Sequence, residues 1–323
     1  MKIRIFALAA AAVLLLAGCS GLFGDDGVQD ETPILPRDTD QSQVKSFLIY
    51  FKLAGQDYLV GQQHNLPISK NKKDGEIVLQ QLIYGPSLGT SGMEALVNPD
   101  TRITMFTESG NTAYVTLNSQ FLEPVPGTPA DWQNNEDVYR QVMATRRLAV
   151  YSIANTLTEL GDYSSVQLYI DTDDDGNGER PTRAMLGFID ENQDQLAEPV
   201  FRNYELIYTP AAATQSFFTL MSEKNWAAVD LMVCDNGPTE KRPSSSELVS
   251  QLQLLDVSLL QNTIDNASVG WSGESAIVVV SYVVRGKEGA EYSGSNFPMR
   301  LRRIDGVWQV TYASLNQILS KVR

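Results

Sequence analysis

EIVLQQLIYGP, residues 76–86, decides the first half of the fold. Val78, Leu79, Leu82 and Ile83 recur at helical spacing, so one face of this stretch is apolar. Gly85 is a natural helix exit, and Pro86 cannot continue the helix. Working upstream, Phe47-Leu-Ile-Tyr-Phe51 is a short β-prone run that Ala54-Gly-Gln-Asp57 turns back into Tyr58-Leu-Val60, a hairpin. Downstream, 102–107 and 112–117 flank Glu108-Ser-Gly-Asn111, a second hairpin. Residues 123–135, rich in Pro, Gly and Asn, read as a loop. Val138, Val142, Ala149, Ile153, Leu157 and Leu160 then mark a long amphipathic helix that stops at Gly161, and Val166-Gln-Leu-Tyr-Ile170 is a strand. Hairpin, helix, hairpin, helix, strand predicts helices on one face of a mixed sheet, a two-layer α/β sandwich.

Residues 47–209 resemble the sporulation and germination domain GerMN. The matching pieces are the opening LIYF and YLV, the LQQLIYGP helix, the Pro99-Asp-Thr101 entry to the second hairpin, and AYVTLNSQF after it. The helix ending SIANTLTEL before VQLYID, and the closing Phe201–Thr209 segment, also match. These are core and turn positions. The resemblance therefore implies a fold and no catalytic residues. It also implies an extracytoplasmic role in a spore-forming, Gram-positive type of bacterium, in sporulation, germination or wall assembly, with ring-like self-association.

The chain divides as 44–210 and 214–323, with Ala211–Ala213 as a short hinge. Residues 214–233 read as a helix capped by Thr214, with Phe217, Phe218, Met221, Trp226 and Val229 inward. Ser244-Ser-Ser-Glu247 is a capping signal for another helix through Leu255. Residues 266–271, 275–285, 297–304 and 307–312 are strand candidates, with turns at Gly286-Lys-Glu-Gly289 and Asp305-Gly306. Helices followed by a curled antiparallel sheet resemble the NTF2-like cone, on the FFTLMSEKNWAAV helix and the LRRIDGVWQV hairpin. The fold class is thus α/β and α+β: a GerMN-like two-layer sandwich followed by an NTF2-like cone. Enzymes of that second shape imply an Asp-His pair inside, and 214–323 contains no histidine. Trp226, Trp271, Tyr282 and Trp308 read as core residues.

The start of the chain carries a location signal. Lys2 and Arg4 precede an uncharged apolar run, which ends in Leu16-Ala17-Gly18-Cys19. The run is shorter than the roughly 20 residues needed to span a bilayer. It reads as a bacterial lipobox: 1–18 a signal peptide, Cys19 lipidated, and 19–43 an acidic flexible tether. The expected location is the outer face of the cytoplasmic membrane. The chain has 323 residues and a net charge of −14, which disfavours nucleic acid and anionic lipid surfaces as partners. Arg146-Arg147 and Arg300-Arg302-Arg303 read as solvated faces. There are two cysteines; lipidation of Cys19 leaves Cys234 unpaired and buried.

Asp171-Thr-Asp-Asp-Asp-Gly-Asn-Gly-Glu179 follows the first half of a calcium loop, with Asp171, Asp173, Asp175 and Glu179 as candidate ligands and Gly176 at the turn. Position twelve is Thr182 instead of a bidentate Glu, Pro181 resists an exiting helix, and a strand precedes the loop. The competing reading is a solvated hairpin tip. Any site is expected to be low in affinity, with Kd near about 10⁻⁴–10⁻³ M. Asp190-Glu-Asn-Gln-Asp194 is a second partial match that lacks the glycine and the final Glu. Apart from this calcium, no cofactor is expected. Together these features predict a non-enzymatic envelope lipoprotein that contacts envelope proteins or peptidoglycan and holds no catalytic residues. The alternative is a ligand sensor or wall-acting hydrolase with a pocket in the second domain.

Overall fold

The structure is a computed structural model; it describes residues 43–87, 92–173 and 175–322. The signal, Cys19 and nearly all of the tether lie outside the described residues. Strands β1 (Val44–Leu53) and β2 (Leu59–Pro67) form the first hairpin, with Phe51 opposite Val60. The turn is closed by the Leu53 N–H donating to Tyr58 O at 2.8 Å. Helix α1 (Asp74–Tyr84) buries Val78, Leu79, Leu82 and Ile83, the four positions its periodicity picked out. Gly85 sits at φ +93°, and its N–H donates to Gln81 O and Leu82 O, so two end carbonyls of the helix are satisfied. The short β3 (Met93–Glu94) pairs with β1 at Lys52 and Leu53.

Strands β4 (Ile103–Ser109) and β5 (Thr112–Asn118) make the second hairpin. Helix α2 (Glu136–Glu159) then crosses over to β6 (Ser165–Asp171), parallel to β5, and the short β7 (Val200–Phe201) closes the sheet. Asn135 caps α2, its side-chain oxygen accepting from the Asp137 and Val138 N–H groups. The mixed sheet is therefore β4-β5-β6-β7, and the first hairpin stays in a separate sheet, β2-β1-β3. The sequence reading placed both hairpins on one sheet. Instead, α2 covers the edge of β1. Tyr50 N–H donates to Thr156 Oγ1 at 3.1 Å, and Ser152 Oγ donates to Tyr50 O. A strand whose edge groups are met by helix hydroxyls offers no ladder to another hairpin.

The second half opens with α3 (Pro210–Ser222) and α4 (Trp226–Leu231), followed by β8 (Val233–Cys234) and α5 (Ser245–Leu255). Strands β9 (Ser258–Val269), β10 (Ser275–Arg285), β11 (Glu291–Ile304) and β12 (Val307–Thr311) follow, then α6 (Tyr312–Leu319). The sheet order is β8-β12-β11-β10-β9, antiparallel except for β12 with β8. Along β10 the alternate residues Ala276, Val278, Val280, Tyr282 and Val284 are buried. They share one core with Phe217, Phe218, Met221, Leu248 and Leu252 from the helices.

Several readings of this half are corrected. Thr209, not Thr214, caps the first helix, accepting from the Ala212 N–H, with Pro210 in the first turn. Thr214 is buried inside the helix and donates back to Pro210 O at 2.9 Å. Ala211–Ala213 are thus helical rather than a hinge. The helix read over 214–233 breaks at 223–225, where Lys224 has φ +54° and the Asn225 side chain caps α4. Strand β9 starts at Ser258 rather than Asn266, because its polar sequence hides the alternation. The closing helix α6 has no sequence signature, its eight residues being too few for a clear period, yet Leu315, Ile318 and Leu319 are fully buried. The Ser244–Glu247 cap is as expected: the Glu247 carboxylate accepts from Ser244 N–H and Oγ at 2.9 and 2.7 Å.

Residues 42–323 form one compact unit. The β11–β12 turn seats on the first hairpin. Arg303 Nη2 donates to Gly61 O at 2.8 Å, and Ser216 Oγ donates to Gln56 Oε1 at 3.2 Å. No helix among the described residues is long and apolar enough to cross a membrane.

His64, the only histidine of the chain, is buried on β2 against Phe51 at 5.5 Å between ring centroids. Its Nε2 lies 2.7 Å from Gln62 Oε1. Burial pushes its pKa below the ordinary 6.5. The unfolded chain therefore takes up a proton that the folded chain resists, so this contribution to stability is complete above about pH 6.5 and falls away as pH drops. Urea midpoints measured across pH 5–7 should flatten in His64→Gln, and the imidazole resonances should titrate below 6.5 in the native protein.

Candidate functional site

The acidic loop leaves the C-terminal end of β6, a strand paired on both sides. Asn118 of β5 stands opposite Asp171. This holds Asp171 inside the protein, at 1% exposure. Its Oδ2 accepts from the Gly176 N–H at 3.1 Å, and its Oδ1 has no hydrogen-bond partner. The loop is pinned at its far end by a bridge between Ile170 and Glu179, with both backbone hydrogen bonds at 2.9 Å. Asp175 accepts from the Asn177 backbone at 2.7 Å and from its side-chain amide at 3.0 Å. These bonds hold the exposed Asp175 carboxyl below its ordinary range.

Carboxylate oxygens of Asp171, Asp173 and Asp175 all lie within 4.8 Å of one another. Glu179, whose backbone pairs with Ile170, is not part of that group. Thr182, in place of the terminal Glu, is itself bridged to Leu196. The second acidic match resolves as a turn: Asp190 pairs with Arg183, which holds its carboxyl low, and accepts from the Asn192 N–H. Beside Asp171 an open cleft is lined by Asp100, Arg102, Thr104, Asn118 and Gln120.

A larger cleft of about 800 Å³ lies where the first hairpin meets the second half. Tyr58, Tyr208, Leu220, Leu231 and Trp308 form its apolar walls, and the Tyr58 and Tyr208 rings are 5.5 Å apart. Burial raises the Tyr208 phenol well above its ordinary range, so it remains a neutral hydroxyl at any working pH. Among the described residues on the walls, Asp305 is the only carboxylate.

The basic clusters carry structure. Arg146 is 9% exposed; it donates to Met185 O at 3.1 Å and to Leu122 O, joining α2 to two loops. Arg303 reaches Gly61 O across the molecule and covers the Trp308 ring. The sequence pattern places both on solvated faces, which holds for their neighbours Arg147 and Arg300 and not for them. Glu159, the last residue of α2, accepts from Tyr50 OH at 2.9 Å and pairs with Arg202. Trp226, Tyr282 and Trp308 are buried as expected, but Trp271 stands fully exposed on the β9–β10 turn. Cys234 is unpaired and buried, and burial pushes its thiol up.

Residues 48–174 match the family model Germane, described as sporulation and spore germination. Among solved structures, the chain is similar to the tandem GerMN domains of the sporulation protein GerM from Bacillus subtilis. Identity is 19% and the TM-score 0.33, over 51% of this chain and 48% of that one. It thus spans about half the length of that tandem structure. The first GerMN domain of the same protein matches at 17% identity and TM-score 0.30, over 48% of this chain and 97% of that one. A putative lipoprotein from Clostridium perfringens matches at 16% and 0.24, over 40% and 75%. No curated protein matches the chain. The family description names a process and no reaction. Residues 48–174 of this chain are thus similar to a domain family described by sporulation and spore germination.

Proposed function

We propose that the protein is a non-enzymatic interaction module of a bacterial envelope, held by lipid on Cys19 at the outer face of the cytoplasmic membrane. The acidic segment 19–43 spaces the folded unit from the lipid surface. The GerMN-like half engages envelope proteins, peptidoglycan or further copies of itself in a ring, during sporulation, germination or wall assembly. The second half, an NTF2-like arrangement of helices on a curled sheet, is joined to the first through the Arg303 bond to Gly61 O. The observation that carries this reading is the family match over 48–174.

The test is cross-linking in the native cell at sporulation, with partners identified and membrane fractions compared between the native chain and Cys19→Ser. Envelope partners and release of the Cys19→Ser protein from membranes are the expected result. Unchanged retention of that variant, or robust turnover of peptidoglycan by the purified protein, overturns it. A second reading, a ligand sensor, is favoured by the aromatic walls of the 800 Å³ junction cleft.

A further inference from the structure

We propose that Asp171, Asp173 and Asp175 bind a calcium ion as its protein ligands. A run of surface acids would carry no such assignment. What carries it is Asp171, a member of the cluster and a carboxylate only 1% exposed, whose Oδ1 has no hydrogen-bond partner. A buried charged oxygen left unpaired is costly, and among the described residues no basic side chain forms an ion pair with Asp171. Its strand position prevents it from turning out to water, because β6 is paired at that residue. The two neighbouring carboxylates add like charge within 4.8 Å. A cation satisfies all three at once.

The geometry suits calcium. Oxygens on opposite sides of a calcium ion stand roughly 4.6–5.2 Å apart, twice the ordinary Ca–O distance, which matches the spread of the three carboxylates. The donors are all hard oxygens, which excludes the softer metals that prefer imidazole or thiolate. Asp171 is held in the ladder of β6 while Asp173 and Asp175 are exposed, and the adjoining cleft admits the waters a seven-coordinate ion retains. A partly hydrated site favours calcium over magnesium, which demands near-ideal octahedral ligands. Three carboxylates without the bidentate Glu place the affinity at about 10⁻⁴–10⁻³ M. The assignment is independent of where the protein resides and of what it contacts.

The test is calorimetric titration of calcium and of magnesium into the purified full-length chain, with melting temperatures recorded alongside. Saturable one-site calcium binding in that range, with a rise in Tm, is expected. Asp173→Asn/Asp175→Asn alters only exposed side chains and should weaken binding at least tenfold while leaving the calcium-free Tm near native. Asp171→Asn should abolish binding and, having lost the unpaired charge, should melt no lower than the native protein without calcium. Asp190→Asn/Asp194→Asn should bind as the native protein does. No heat up to about 10 mM calcium, well above the expected Kd, overturns the assignment. So does native-like binding by Asp173→Asn/Asp175→Asn, or binding of magnesium in preference to calcium.

Discussion

Phe217→Ala is expected to destabilise the folded unit by about 3–5 kcal/mol, the usual cost of deleting a large ring from a packed core. Phe217 is fully buried on α3 and meets Phe218 edge-on at 5.7 Å. It belongs to the same apolar cluster as Val278, Val280 and Met299 of the sheet. Removing it leaves a cavity that the sheet, fixed by its ladders, fills poorly. Because 42–323 is one compact unit whose core runs through both halves, urea unfolding should show one transition displaced as a whole. A first transition left in place would mean that the GerMN-like half is stable by itself. Trp271→Ala is the informative contrast. It removes a larger aromatic ring, but from a fully exposed turn, and should change stability by no more than about 0.5 kcal/mol.

Gly187→Ala is expected to cost about 3 kcal/mol or more. Two effects combine. Gly187 has φ +83°, where an alanine is strained by about 1–3 kcal/mol. An added Cβ would also stand 2.2 Å from Met143 O and 2.9 Å from Arg147 N, both backbone atoms of α2. Helix backbone cannot yield as a side chain does, so the 183–188 turn must lift off α2. That movement would break the Arg146 bond to Met185 O and expose Leu186, which is fully buried. Gly161→Ala separates the two effects. Its φ is +86° with open space around it, so it should show the conformational cost alone. Equal losses in the two variants would show that the turn relaxes freely.

Sequence reading was most successful where structure is decided by neighbours three and four residues apart. The apolar stripe of α1 and its glycine exit, the two hairpins of the first half, the capping box of α5 and the burial of Phe217 and Met221 were all legible. It was least successful for long polar side chains. Arg146 next to Arg147 looks like any charged helix face, and only the loops at 122 and 185 make it an internal crosslink. Trp271 looks like core by residue type, and only its place on a turn exposes it. At the acidic loop, spacing proposed four ligands. The fold brings three of them together, Asp171, Asp173 and Asp175, and leaves Glu179 out of the group.

The chain by itself determined the main elements of the first half, the cap of α5 and the apolar faces of α1 and α2, since backbone preferences and periodicity act over a few residues. It also named the candidate acids at 171–179. Tertiary structure alone decided how strand edges are used. The hydroxyls of Ser152 and Thr156 occupy the edge of β1 and keep two sheets apart. It alone decided that Asp171 is buried with an oxygen unmatched, because burial depends on segments distant in sequence, and a carboxylate becomes informative only once water is taken from it.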